Sequence, residues 1–108
     1  VAVYVDPLFD TTGLAAKGWP YKQACHMYAD TLEELHDMAR QIDHKREWFQ
    51  GHKLEFLHYD LTATRRQLAL KYGAVNASRQ HMVDYVRRNR LRIAKEQQGS
   101  ARNQRDKR

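Results

Sequence analysis

Hydrophobic and polar positions change period several times along the chain, and each change marks an element. Val1 to Val5 (VAVYV) is a short, β-branched apolar run, which predicts a buried strand. Ala24 to Ala29 (ACHMYA) alternates as a second strand does, with Cys25 and Met27 on one side and His26 and Tyr28 on the other. Residues 6–22 between them have no period and contain Pro7, Gly13, Gly18 and Pro20. They read as a long loop, either a surface excursion or an active-site lid, pinned to the body by Trp19 and Tyr21. Leu32, Leu35, Ala39 and Ile42 then recur at helical spacing, which predicts a helix opened by the capping box Asp30-Thr-Leu-Glu33 and ending near Asp43.

Lys45 to Gln50 is expected as a third short strand, Gly51-His52-Lys53 as a turn, and Phe56 to Tyr59 as extended chain. Thr62 or Thr64 caps a second helix with Leu61, Leu68, Ala69 and Tyr72 as its apolar stripe and Gly73 as its stop. Ala74-Val75 is a small strand. Asn76 or Ser78 caps a third helix that turns Met82, Val83, Val86 and Ile93 inward. Strands alternating with helices point to an α/β fold, a small sheet with parallel strand pairs packed by about three helices, with α+β as the alternative.

The 108 residues suit one domain, expected over 1–96. No run is long and apolar enough to predict a membrane span, and VAVYVD lacks the basic lead of a signal peptide. The single cysteine, Cys25, excludes an internal disulfide and suits a reducing, cytoplasmic setting. Net charge is +6, but residues 87–108 alone carry nine Lys/Arg against two acids, a balance of +7. The basic character therefore belongs to the end of the chain, where a polar tail over 97–108 is expected to be disordered and to offer an electrostatic contact to a polyanion.

Four segments resemble, in this order, the bacterial and phage family called domain of unknown function 4031. They are VAVYVDPL, CHMYADTLEELH, KREWFQ and HYDLTATRRQLALKYGAV, spanning residue 1 to about 86. The shared motifs stand here as Cys25-His26, Ala29-Asp30, Lys45-x-x-Trp48-x-Gln50, His58-Tyr59-Asp60 and Gly73-Ala74. Arg65-Arg66 departs from the Ser-Lys-Arg type of triplet associated with that family. The resemblance implies boundaries and supplies no reaction.

In open α/β sheets ligands sit beyond the carboxyl ends of the strands. On the expected strands that edge gathers Asp6, Asp30 and Gln50, and His58, Tyr59 and Asp60 approach it just before a helix start whose first turn carries Arg65 and Arg66. Trp48 could stack on a base. The candidate ligand-binding residues are thus His26, Trp48, Gln50, Tyr59, Arg65 and Arg66. Asp6, Asp30 and Asp60 are candidate ligands for a divalent metal such as Mg²⁺ or Mn²⁺, with His58 and Asp60 as acid and base. Each also has a plain structural use: Asp6 as a turn residue, Asp30 as a helix cap, His26 as a packed histidine.

The leading expectation is binding of a phosphate-bearing ligand, nucleic acid or nucleotide. One version is a helix-turn-helix, with Ala69 and Gly73 at the turn and Gln80 to Arg90 as the reading helix. The alternatives are a metal-dependent phosphodiester or nucleotide hydrolase, and a protein-interaction factor. No HExxH, Cys-x-x-Cys, phosphate-loop or dinucleotide fingerprint is present to decide between them.

Overall fold

The structure is a computed structural model that describes the backbone of residues 1–15 and 18–106 and the side chains of 1–15 and 18–98. Five strands and three helices follow in the order β1 (Val3–Val5), β2 (Phe9–Asp10), β3 (Gln23–Ala29), α1 (Leu32–Gln41), a 3-10 turn (Arg46–Trp48), β4 (Tyr59–Leu61), α2 (Ala63–Lys71), β5 (Val75–Asn76) and α3 (Arg79–Asp106). This is an α/β domain built on a small mixed sheet.

β3 is its centre. β1 pairs antiparallel along one side of β3, with Val5 opposite Met27. β2 continues along β3 with Phe9 opposite Ala24, a register moved by one residue. The extra residue falls between Val5 and Phe9, where Pro7 has no amide to donate, so the edge bulges there. β4 pairs antiparallel with β3, placing Asp60 opposite His26. β5 pairs with β1, and among the described strands this is the parallel pair. Antiparallel pairing dominates because β1 returns into β3 through a loop rather than a crossover helix, whereas β4-α2-β5 is a true crossover that joins the two outer strands.

The period-2 alternation of the strands divides the two faces. Val3, Val5, Cys25, Met27, Ala29, Tyr59 and Leu61 point to one face and form the core with Leu35, Met38, Ala39 and Ile42 of α1 and Ala69 of α2. Met27, Leu35, Ile42 and Leu61 are fully buried there, each contributing about 1.5–3 kcal/mol of transfer free energy. On the other face α3 covers one half: Tyr28 is fully buried beneath it, its ring 4.7 Å from Tyr85 and its hydroxyl 2.7 Å from His81 Nδ1.

Local chemistry explains where the elements depart from the sequence pattern. Thr31, not Asp30, caps α1. Its hydroxyl accepts from the Glu34 amide and donates to the Glu34 carboxylate, so the N-cap falls one residue later than expected. Asp30 is engaged elsewhere, accepting from the Ala2 amide and the Tyr4 hydroxyl. Lys45 to Gln50 is not a strand but a 3-10 turn, because Phe49 is drawn under His36 and Tyr59, at ring distances of 4.8 and 5.5 Å, while Trp48 stays half exposed. The extended stretch expected at Phe56 to Tyr59 begins later, with a bridge from Gln50 to His58 leading into β4.

Thr62 caps α2, and Gly73, at φ +105°, ends it. Ser78 caps α3 through the His81 amide. The helix-turn-helix does not form, because β5 lies between α2 and α3 and joins the sheet beside β1, leaving the two helices on opposite faces. α3 continues through the position where the polar tail was expected to begin. Side chains beyond Gln98 lie outside the described residues, and with them most of the tail expectation. Among the described residues no helix is long and apolar enough to cross a membrane.

Candidate metal centre and adjoining cavity

The half of the second face that α3 leaves open carries the chemistry. His26 on β3 and Asp60 on β4 are direct cross-strand partners, so their side chains rise together. His58, two residues before Asp60, points to the same side. Its backbone is fixed by the bridge to Gln50, in which the Gln50 amide donates to the His58 carbonyl at 2.8 Å. Among the described residues these three form the one group able to offer a metal ion three donor atoms, all within 4.8 Å of one another.

The ring orientations suit that task. Asp6 is 3 % exposed and accepts twice from His26, from its amide at 2.6 Å and from Nδ1 at 2.7 Å. A carboxylate only accepts, so His26 Nδ1 carries a proton and Nε2 is the ring nitrogen left to face the centre. His58 Nδ1 lies 2.8 Å from the Phe56 carbonyl, which also only accepts, so its Nε2 is likewise the free donor. Two imidazoles, each held through Nδ1 by an oxygen acceptor, match the second-shell pattern that fixes metal-ligating histidines.

His58 Nε2 is 3.4 Å from Asp60 Oδ1. A first-row ion sits about 2.0–2.2 Å from such donors, which spaces them about 3–3.5 Å apart; this pair therefore already fits that spacing. Aromatic rings wall the group. Phe56 stacks on His58 at 4.2 Å and 18°, and Phe9 and Phe56 lie 5.1 and 5.0 Å from His26.

Beside Asp60 opens a cavity of about 500 Å³, lined by Trp19, Tyr21, His44, Trp48, Gln50 and Arg65 together with Asp60 itself. The loop after β2 forms one wall and the 3-10 turn the other. His44 is buried, and its basicity is lowered first by that burial and then by the neighbouring Arg65 charge. Thr62, the cap of α2, also faces the cavity, so the positive end of that helix is directed at it.

The expected site residues therefore divide. His26, His58 and Asp60 converge. Asp6 stands behind His26 as its orienting partner rather than as a ligand. Trp48, Gln50 and Arg65 share the adjoining cavity, Arg65 with its guanidinium bound to the carbonyls of Ile42 and Asp43 at the end of α1. Arg66 donates to the Asp6 carbonyl and to the Asn76 side chain, tying β1 to β5. Tyr59 is displaced from the site: as an odd-numbered member of β4 it points into the core, its hydroxyl 2.8 Å from His36 Nδ1. Asp30 is at the far end of the sheet, where Tyr4 and the N-terminus occupy it. His44, without a visible partner in the sequence, is the cavity residue that sequence reasoning missed. No signal at position 44 of the sequence marks it. Cys25, fully buried in the core, has its thiol pushed up to about 12 by that burial and takes no part.

No curated protein and no solved structure matches this chain. A family model does match it, over residues 3–89, which takes in every strand, both shorter helices, the three converging donors and the cavity. The chain belongs to the family described as "Protein of unknown function (DUF4031)".

Proposed function

We propose that this protein binds one divalent transition-metal ion through His26 Nε2, His58 Nε2 and the Asp60 carboxylate, and uses it to hydrolyse a phosphate ester held in the adjoining cavity. The observation that carries this reading is the convergence of two imidazoles, each with Nδ1 already committed, on one carboxylate. Two histidines and one carboxylate leave coordination positions open for water and substrate, as catalytic sites require. An ion bound there supplies a Lewis acid and lowers the pKa of a water beside the substrate.

The chain's own residues supply the rest. Asp6 holds the His26 tautomer, and the Phe56 carbonyl holds that of His58. Phe9 and Phe56 pack against the two imidazole rings. A phosphate ester is favoured over an uncharged substrate by the positive end of α2, which has no acid in its first turn, and by Arg65 on the cavity wall. The carbonyls that Arg65 binds orient its guanidinium without cancelling the charge.

The experiment is metal titration of the purified protein with Zn²⁺, Mn²⁺ and Co²⁺, followed by turnover assays on p-nitrophenyl phosphate and bis(p-nitrophenyl) phosphate. One ion per chain is expected, with Co²⁺ absorption in the visible from imidazole and carboxylate ligands. H58A and D60N should lose both the ion and any turnover while keeping the far-ultraviolet circular dichroism of the parent. Stoichiometric binding that survives in both variants would place the ion elsewhere. A loaded protein inert toward every phosphate mono- and diester tried would sink the hydrolase part.

A further inference from the structure

The cavity beside Asp60 contains buried polar groups that nothing in the fold uses. His44 is 8 % exposed, and neither of its ring nitrogens has a hydrogen-bond partner among the described residues; the same holds for Trp19 Nε1. The Asp60 backbone lies near the His44 ring without forming a proper bond to it. Buried polar groups are nearly always paired, and leaving them unpaired is costly, so such a cluster on a cavity wall needs a reason.

We infer that the cavity takes the base of a nucleotide, its ring packed against Trp48 and its polar edge paired with His44 and Trp19. The inference rests on the reading above, that this cavity holds the substrate of the adjoining centre.

The chemistry of the groups selects the ligand. A neutral imidazole offers one N–H donor and one lone pair, and the unpartnered Trp19 indole adds a second donor. A ligand that both donates and accepts, as the edge of a nucleobase does, can pair with such groups, whereas an anion would find only the donors. Trp48 is 44 % exposed, and its indole lies 4.8 Å from the His44 ring at 68°, so an aromatic surface on which a base can stack stands beside the imidazole. The His44 and Trp19 nitrogens are closed to solvent as the walls stand, so the ring enters by parting Trp19 and Tyr21 from Trp48. A volume of about 500 Å³ accommodates a mononucleotide and leaves its phosphate toward Asp60 and the start of α2. Discrimination of this kind is strong, because an analogue without the matching edge leaves the buried groups unpaired.

The test uses the full chain and its own fluorescence, since its two tryptophans both line this cavity. Adenosine, guanosine, cytidine and uridine are titrated in turn, then their 5′-monophosphates, ribose 5-phosphate and inorganic phosphate, with calorimetry in parallel. At least one nucleoside should bind and change the tryptophan emission. Ribose 5-phosphate should bind at least about tenfold more weakly than the matching nucleoside monophosphate. H44A should weaken the nucleoside about tenfold, and H44Q, which keeps a donor and an acceptor, should weaken it less.

If none of the four nucleosides binds the parent protein at 10 mM, or if ribose 5-phosphate binds as well as the nucleoside monophosphate, the inference is overturned whatever the variants do. Metal binding without nucleoside binding removes this inference alone. Nucleoside binding without metal binding removes the hydrolase reading and leaves the base pocket standing.

Discussion

Asp6 is the residue whose replacement separates orientation from ligation most cleanly. In D6N the side chain keeps its shape, and its remaining oxygen can still accept from the His26 amide, 2.6 Å away in the parent. The group facing His26 Nδ1 at 2.7 Å becomes an NH₂ donor, however. Imidazole must then offer Nδ1 as acceptor and carry its proton on Nε2, which removes the lone pair directed at the centre. Loss of one buried charge-assisted bond should cost about 1–2 kcal/mol of stability, a fall of roughly 4–15 °C in Tm for a domain of this size. Loss of an outer-shell partner should weaken metal binding about 10–100-fold, equivalent to about 1.4–2.7 kcal/mol. Competition with a chromophoric chelator gives the affinity, and thermal unfolding of the same metal-free sample gives the stability. D6N that is folded and binds zinc as tightly as the parent would refute the tautomer reasoning, since no other described group fixes His26 Nδ1.

Three other outcomes follow from geometry already given. Burial lowers the basicity of both His36 and His44. Below their ordinary titration range the unfolded chain therefore takes up protons that the native state refuses, and Tm should decline as pH falls from about 6.5; a Tm that rises over that interval contradicts this, and H44F should flatten the decline. Cys25 should be unreactive toward a disulfide reagent in the native state and react only at the rate of unfolding, because its thiol is fully buried with its pKa pushed up to about 12. Replacing Gly73 by Ala meets no atom within 4 Å but forces a Cβ onto a backbone at φ +105°, so denaturant titration should show a loss of about 1–2 kcal/mol, with metal affinity unchanged.

How much of this was legible in the sequence depended on whether a residue's role was local. The alternation of ACHMYA gave both the strand and the sidedness of Cys25, His26, Met27 and Tyr28, because a strand's period is set by its own backbone. Thr62, Gly73 and Ser78 were readable as punctuation for the same reason. His58-x-Asp60 was legible as a pair, since residues two apart on an extended chain share a side. Their meeting with His26 was not, because it depends on the register of β4 against β3, which no single segment encodes.

The same limit explains the other departures. Asp30 has an acceptor's chemistry suited to a cap or to a metal, and what decided between these and its actual use was the approach of Ala2 and Tyr4 from β1. KREWFQ lacks a helical stripe and was read as a strand, but the burial of Phe49 against Tyr59, a tertiary contact, bent it into a 3-10 turn. The neutral, buried state of His44 arises from Trp48, Arg65 and the loop after β2 closing around it, and nothing at position 44 announces that.

Cys25, Met27, Tyr59 and Leu61 face the core, while His26, His58 and Asp60 interleave with them on the other side of the same strands. Residue identity on the open face can therefore drift without repacking the interior, and a related chain could exchange any of these three side chains while keeping its fold. Length has no such freedom. One residue inserted or deleted within β3 or β4 would carry histidine and aspartate inward and hydrocarbon outward in a single step. The strands act as a reading frame in which substitutions are tolerated and frameshifts are not, and the spacings from Cys25 to Met27 and from His58 to Asp60 should be kept where the side chains themselves are not.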